Sequence, residues 1–485
     1  MVIILSPSQD FFPIPNLISF FKQHTSASIV CTNIAGLNGM QMKRIFIAVV
    51  FTAFCLSSFS QLIYYKDKLA SPYTIADAKA TARRANIISN AEALQTIPLI
   101  TNDSITERIQ SALWSISQFL VSTPKSDLGI QRLVKNYWQF DGTTQRALLE
   151  VVYALYPKIY YTEMLDIMQG SSDPKSFAMA AAYVFRAYPT TATKNLIRQK
   201  ATTVSCNESQ ALMIYNLLMY IDEDVKDYKL PSMDSLFAHQ QVHKFKVIYS
   251  FQSFNRDIPG IAIVQNPDGT FVRDDSGHVK TFAQLARSAS NLPWFLSNGS
   301  TPQGLYSITG TGFSRNVFIG PTPNLQMVMM NEVNPPTFTH YFPPVFNAPP
   351  ERLYRSYFPG NWQQWEGIME AYDAGKIGRS EIIAHGSTID PDWYVGKPYY
   401  PLTPTMGCLC AREIWNRNTG KIQYSDQLDL VNAFIETPGK QGYLFVINVD
   451  DKEISLNREK LEAIVKKFEA DIEKPGPVIE QTSQK

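Results

Sequence analysis

The chain has 485 residues, too many for one ordinary domain, so roughly two or three domains are expected. Hydrophobic residues make up 45% and charged residues 18% of the chain, a balance that excludes a disordered protein and favours packed domains. The formal net charge of +1 gives no general excess of positive charge for binding nucleic acid or an acidic membrane, and neither partner is expected.

The first feature along the chain is a segment typical of a secretory signal peptide. Lys43 and Arg44 precede an apolar run over residues 45–55, and small residues follow over 56–60. A basic start, an apolar centre and a small-residue cleavage region are the parts of such a signal. We therefore predict a signal peptide over residues 42–60, and an exported protein of the periplasm or cell envelope.

Residues 1–41 lie upstream of a signal that should be terminal, and Met40 and Met42 both offer start sites. We interpret residues 1–41 as sequence assigned to the chain in error. The apolar run that follows is too short to span a bilayer, which needs about 20 apolar residues. No stable membrane span is therefore expected in the mature chain, and a membrane anchor or buried helix is the alternative.

Helical periodicity extends from about residue 106 to residue 224. Asp173-Pro174 is typical of a helix start, with a capping acid before a first-turn proline. Tyr156-Pro157 and Tyr188-Pro189 each end a helix, and Tyr220 follows at the same interval. Such a period indicates stacked helical pairs similar to HEAT repeats, with an irregular bundle as the alternative. We predict a helical domain over residues 61–235.

Strand and turn patterns replace helical periodicity after about residue 240. Strands are predicted near residues 244–251, 260–265, 304–310, 325–330 and 443–449. Helices are predicted between them near residues 282–289 and 362–374. The sequence thus predicts an α+β chain, with a β-dominated domain over 240–450 after the helical domain. An amphipathic helix and a disordered tail are expected over 451–485.

The cysteines of the predicted mature chain are Cys206, Cys408 and Cys410. An odd number in an exported protein indicates a free thiol kept for its reactivity. Cys408-Leu409-Cys410 is weak evidence for a disulfide or a metal site, because so short a loop strains the disulfide bond. The sequence has no metal-site spacing, and neither metal nor cofactor is expected.

Cys408 has a local sequence suited to a nucleophile. A cysteine nucleophile needs a base, amide donors for an oxyanion and little bulk beside it. Gly407 allows a substrate carbonyl to approach closely, and the amides of Gly407 and Cys408 are the candidate oxyanion donors. His385, which follows an apolar strand and precedes Gly386, is the candidate base, with His340 as the rival. On residue types alone this Cys–His pair is weak evidence, because a free cysteine is more often an inert core residue.

These residues belong to a wider pattern that resembles the L,D-transpeptidase catalytic domain family. The family has a strand-borne His-Gly, matched by His385-Gly386-Ser387, and a later [Ser/Thr]-His-Gly-Cys signature, matched by Thr405-Met406-Gly407-Cys408. Its Thr-Pro-x-Gly-x-Tyr strand entry is matched by residues 301–306. Asp426-Gln427-Leu428 and residues 442–447 resemble its closing helix and strand. The resemblance does not extend to the helical region.

Two positions depart from the family pattern. Met406 stands where the family usually has a second histidine, and Cys410 where it usually has arginine or asparagine. His385, Gly407 and Cys408, which the chemistry most needs, are kept. The departures leave open an altered rate or substrate preference, or a domain that has lost catalysis.

The resemblance implies that Cys408 attacks a peptidoglycan stem peptide and forms a thioester, with His385 as base. An amine of a second stem would resolve the thioester as a cross-link, or water would resolve it as an L,D-carboxypeptidase. It implies substrate contacts from Gly386, Ser387, Thr405, Met406 and Tyr306. Candidates for the substrate groove are Tyr306, Trp393, Tyr394, Tyr399 and Tyr400, with ordinary packing of an aromatic-rich loop as the alternative for each of them. The alternative is a non-catalytic envelope scaffold that grips peptidoglycan, with the helical domain binding an envelope protein.

Overall fold

The computed structural model describes residues 63–100, 102–222, 230–341, 348–439, 442–449 and 457–472. Residues 61–485 belong to one compact unit. The predicted upstream segment, signal peptide and disordered tail lie outside the described residues. Within those residues, no helix combines the length and the apolar character needed to cross a bilayer.

Helices form the first part of the described chain. Asp173 caps one of them as predicted, because its side chain accepts a hydrogen bond from the Ser176 amide at 3.0 Å, with Pro174 in the first turn. The helices are α1 (Ala78–Glu92), α2 (Asp103–Phe119), α3 (Pro124–Lys135), α4 (Gly142–Leu155), α5 (Tyr161–Gly170), α6 (Pro174–Ala187), α7 (Thr191–Ala201), α8 (Glu208–Asp222) and α9 (Met233–His243).

A β-sheet region follows. Its strands are β1 (Lys246–Ser253), β2 (Gly260–Gln265), β3 (Phe282–Leu285), β4 (Gly304–Gly312), β5 (Asn324–Val328), β6 (Ala384–His385), β7 (Leu409–Ala411), β8 (Glu413–Trp415), β9 (Ile422–Ser425) and β10 (Gly442–Val449). Strands β1-β10-β4-β5-β6-β7-β3-β2 close into a barrel in that order, and β8 and β9 form a separate pair. The β1–β10 and β6–β7 pairs are parallel.

Further helices lie between and after the strands. They are α10 (Pro335–Phe338), α11 (Pro350–Arg355), α12 (Gly360–Gln363), α13 (Met369–Ile377), α14 (Asp426–Glu436) and α15 (Arg458–Ile472). Every barrel strand contributes to one apolar cluster, which α14 joins through Leu430, Val431 and Phe434. The opposite face of β1, β2, β4 and β10 packs with α9, α11 and α15. Strands β1, β2, β4 and β10 are therefore buried on both faces of the barrel sheet.

The helical region and the barrel share a hydrophobic core. Leu292 and Phe295, from the loop before β4, and Tyr394, from the loop after β6, belong to the cluster that fills the helical region. The Tyr394 hydroxyl also donates to the Gln118 carbonyl at 2.7 Å. The boundary proposed between residues 61–235 and 240–450 therefore stays a sequence prediction, and the packing joins the two parts.

The α+β class predicted from the sequence is confirmed, with helices over residues 66–243 before the barrel. The helix predicted near residues 282–289 is wrong, because Phe282–Leu285 is strand β3. A short apolar run does not distinguish helix from strand by periodicity. Here pairing with β2 and β7 decides the outcome, since β3 closes the barrel between them.

Candidate active site

His385 and Cys408 lie on neighbouring parts of the barrel wall. In the parallel β6–β7 pair, Ala384 is opposite Leu409 and His385 is opposite Cys410. Ala384 and Leu409 point into the cluster shared by the barrel strands. Because side chains alternate along a strand, His385, Cys408 and Cys410 point to the other face. His385 and Cys408 border a cavity there.

The cavity has a volume of about 730 Å³ and brings together most of the predicted site. His385 and Cys408 both line it. So do four of the other residues singled out from the sequence, namely Ser387, Thr405, Met406 and Gly407. Gly386 contributes to the site through its backbone carbonyl.

The aromatic residues proposed for the substrate groove lie elsewhere. Tyr306 is fully buried in the barrel cluster, with its hydroxyl donating to the Pro302 carbonyl at 2.8 Å. Tyr394 and Tyr399 are fully buried in the core shared with the helices. Trp393 and Tyr400 line a different cavity. Tyr306 therefore does not contact a ligand beside Cys408, which corrects that expectation: strand β4 turns its ring into the core.

Cys408 is a half-buried free cysteine. Its Sγ accepts a hydrogen bond from the Ile383 amide at 3.5 Å and lies 3.4 Å from the Glu381 carbonyl oxygen, to which it donates. Burial raises the pKa of this thiol to about 11, although the Ile383 amide and the Arg379 charge both lower it. At neutral pH the resting residue is therefore a thiol, and nucleophilic attack requires a base.

Cys410 occupies a different environment. It is buried, and its Sγ lies 3.4 Å from the Thr403 hydroxyl. Burial raises the pKa of the Cys410 thiol to about 12. A ligand in the cavity therefore has access to the thiol of Cys408, and Cys410 is a packed core residue.

His385 is buried and oriented by its own backbone. Its Nδ1 lies 2.5 Å from the Gly386 carbonyl oxygen, which only accepts, so Nδ1 carries the proton and Nε2 has the free lone pair. Burial lowers the pKa of the imidazole below its ordinary value. The ring is therefore neutral at pH 7, as a general base must be. Among the described residues, the hydrogen bonds of Cys408 go to backbone groups rather than to His385.

The backbone beside His385 is fixed by strands β8 and β9. The Ser387 amide donates to Glu413 Oε2 at 2.9 Å, and the Trp415 indole donates to the Ser387 carbonyl at 2.9 Å. A Cβ at Gly386 would clash with the Glu413 carboxylate, so a larger residue there would displace that carboxylate. Burial raises the pKa of Glu413 to about 7. Sequence reasoning missed Glu413 and Trp415, because only the tertiary fold brings them to Ser387.

Gly407 lies in a tight turn before the thiol. Its φ is +123°, a region that favours glycine, and a Cβ there would clash with the Arg379 guanidinium. Its amide donates to Thr405 Oγ1 at 3.1 Å, and its carbonyl accepts from Thr301 Oγ1 at 2.9 Å. The amide predicted as an oxyanion donor is thus already bonded to Thr405, so it becomes available only when that bond breaks.

Arg379 is the charged residue next to this turn. Its guanidinium donates to the carbonyls of Gly299 at 2.8 Å and Ser300 at 2.9 Å, and also to that of Trp294. Burial lowers its pKa to about 10, which leaves the group charged at pH 7. Its position beside Gly407 depends on the loop before β4, and no local motif marks it in the sequence.

Among the described residues, no group of three or more His, Cys, Asp or Glu side chains is placed to hold a metal ion. No family model, no curated protein and no solved structure matches this chain. The functional argument therefore depends on the geometry of the cavity and on the motifs around His385 and Cys408.

Proposed function

We propose that this chain is an L,D-transpeptidase-like cysteine acyltransferase that acts on peptidoglycan stem peptides. One observation carries the proposal: a partly exposed Cys408 shares a cavity with a neutral His385 whose Nδ1 is bonded to the Gly386 carbonyl. A nucleophile, an oriented base and a glycine next to the nucleophile, all in one cavity, are parts that acyl transfer through a thioester needs.

The acylation step follows from the protonation states. His385 Nε2 takes the Cys408 proton as Sγ bonds to the carbonyl carbon of the third stem residue. The tetrahedral intermediate collapses, and the leaving terminal D-amino acid takes that proton with the broken C–N bond. A thioester on Cys408 remains. Sγ must first turn away from the Glu381 carbonyl oxygen, 3.4 Å away.

The second step resolves the thioester. An acceptor amine loses a proton to His385 and bonds to the carbonyl carbon, and the Cys408 thiolate leaves and recovers the proton. With water in place of the amine, the same residues give carboxypeptidase activity. Both reactions use the same residues. Whether an amine or water lies beside the thioester therefore decides between cross-linking and hydrolysis.

The finer fold assignment is part of the same proposal. The closed barrel, with His385 on β6 and Cys408 directly before β7, is the catalytic domain, and the helices α1–α9 are HEAT-like pairs or an irregular bundle beside it. Export to the periplasm follows from the signal-peptide pattern over residues 42–60. A substrate in the cell wall requires that location.

A specific observation favours a second candidate, a non-catalytic protein that binds peptidoglycan. Met406 lines the cavity where the family usually has histidine, and the pKa of the Cys408 thiol is raised rather than lowered. The helical region would then bind an envelope partner protein.

Incubation of the purified protein with defined tetrapeptide muropeptides, followed by mass spectrometry, separates these functions. Cross-linked dimers identify a transpeptidase, and stems shortened by one residue identify a carboxypeptidase. Intact substrate after prolonged incubation, together with binding of the same muropeptides, would support the scaffold and overturn the enzyme.

A further inference from the structure

The helical region forms one wall of the cavity that contains Cys408. Trp114 and Gln118 from α2, Lys175 from α6 and Met213 from α8 all line this cavity with the thiol. A ligand held at Cys408 therefore lies against side chains of the helical region as well as the barrel. These helices lie outside the resemblance to the transpeptidase family.

A smaller chamber adjoins this wall. Its volume is about 190 Å³. It shares Lys175, Met213, Ser297 and Asn298 with the main cavity, and the two spaces are therefore direct neighbours. Its remaining lining brings ionisable side chains of both signs together, Arg146 and Glu150 from α4.

Glu150 is the buried acid of this chamber. Its residue is 7% exposed, and Oε2 accepts a hydrogen bond from the Asn298 side-chain amide at 3.0 Å. Oε1 is buried and has no hydrogen-bond partner among the described residues. Burial raises the pKa of this carboxyl group to about 7. A buried polar atom left without a partner is costly and indicates a missing group that would bond to it.

The cations of the chamber lie on two helices. Lys175 is half-buried in the first turn of α6 and lines both spaces. Arg146 already forms an ion pair, with its Nη1 at 3.5 Å from Asp173 Oδ2. Lys175 can therefore bind a ligand carboxylate while Glu150 binds a ligand ammonium, since charged hydrogen bonds are the stronger kind.

Asn298 connects this chamber to the nucleophile. Asn298 lies in the same loop as Gly299 and Ser300. The carbonyls of those two residues accept hydrogen bonds from the Arg379 guanidinium, which lies beside Gly407. The Asn298 side chain bonds to Glu150, and its own φ is +54°. The same short loop therefore contacts the chamber on one side and the turn before Cys408 on the other.

We propose that the chamber binds the zwitterionic head of a ligand, an ammonium and a carboxylate on one carbon, with the ammonium at Glu150 and the carboxylate at Lys175. The remainder of the ligand extends past Asn298 towards Cys408. This rests on the proposed function only in that the ligand is a substrate of the Cys408 site. The helical region thereby selects which amino-acid unit enters the cavity.

The test uses the full chain carrying Cys408→Ala, which binds without reacting, and follows D-alanine by ligand-observed NMR. D-alanine is expected to bind at least about tenfold more tightly than D-alaninamide or N-acetyl-D-alanine, because each derivative loses one charged contact. Adding Glu150→Gln or Lys175→Ala should weaken D-alanine binding by a similar factor. The matched changes Glu107→Gln and Lys135→Ala, at exposed positions on α2 and α3, should leave it unchanged.

Binding of D-alanine that is equal in all these variants, or absent from the Cys408→Ala chain, overturns the proposal. Thermal unfolding of each variant checks that it is folded. If Glu150→Gln does not fold, Lys175→Ala still tests the proposal, because Lys175 is less buried than Glu150. The Cys408→Ala chain cannot be acylated, so zwitterion binding stands even where muropeptides give no product. Failure of the chamber and failure of the transferase are thus distinguished.

Discussion

The two walls of the cavity differ in how their polar groups are bonded. On the barrel wall, Arg379 donates to backbone carbonyls, and the amide and the carbonyl of Gly407 both have partners. On the helical side, Lys175 is half-buried, and in the adjoining chamber one oxygen of Glu150 has no partner among the described residues. The barrel wall is therefore organised to hold a reactive geometry, and the helical wall has charge available for a ligand. If the chemistry is assigned correctly, substitutions on the barrel side of the cavity should reduce activity first. The predictions below therefore concern residues on that side.

The largest effect is expected from Cys408→Ala, which should abolish formation of both cross-linked and shortened muropeptides. Cys410→Ala is its matched control and should keep most of the activity, because its buried thiol contacts Thr403 instead of the cavity. Product formation measured by chromatography and mass spectrometry distinguishes the two. Loss of activity with Cys410→Ala alone would contradict the assignment of the nucleophile.

His385→Ala should slow acylation by about two to four orders of magnitude, the usual contribution of a positioned general base. His340→Gln is the control, since the His340 ring lies 3.0 Å from Ser307 Oγ and 3.1 Å from the Gly442 carbonyl, outside the lining of the cavity. Single-turnover acylation rates compare the variants. If His340→Gln is the slower of the two, His385 is not the base.

Gly407→Ala should both destabilise the protein and slow acylation, because an added Cβ strains a φ of +123° and displaces Arg379. Gly277→Ala is the control for backbone strain without a clash, because Gly277 has a positive φ of +79° and open space around its Cβ position. Left-handed strain alone costs about 1–2 kcal/mol. Thermal unfolding should show a larger loss for Gly407→Ala, and only that variant should be slow. Equal losses would mean that contact with Arg379 is unimportant.

The smallest effect concerns pH. Because burial lowers the pKa of His385 below the ordinary histidine value of about 6.5, the imidazole is neutral and competent above that pH. Acylation should fall only as pH drops below about 6.5, by tenfold per unit once His385 is protonated. The pH profile of single-turnover acylation measures this limb. A fall that begins well above pH 6.5 would mean that another group limits the reaction.

The features that the sequence predicts best are those that a few adjacent residues determine by themselves. Gly407-Cys408 and His385-Gly386 are local patterns, and the fold places both beside one cavity. The Asp173-Pro174 helix start was equally local and is confirmed. In these cases adjacent residues carry the physical cause.

The remainder depends on contacts between distant segments. Glu413 and Trp415 reach Ser387 only because β8 and β9 fold back over it. Tyr306 matched a family position, yet the pairing of β4 with β5 and β10 places its ring in the core. Glu150 and Asn298 are far apart in the sequence, and no residue near Glu150 predicts its hydrogen bond with Asn298.

The most direct test of the central claim is to trap the acyl-enzyme. The full chain is mixed with a tetrapeptide muropeptide, quenched in acid within seconds, and analysed by intact mass and peptide mapping. We expect an added mass equal to the substrate without its terminal residue, located on the peptide that contains Cys408 and removed by hydroxylamine as a thioester is. An adduct on Cys206 or Cys410, or no adduct under conditions in which products accumulate, would contradict it.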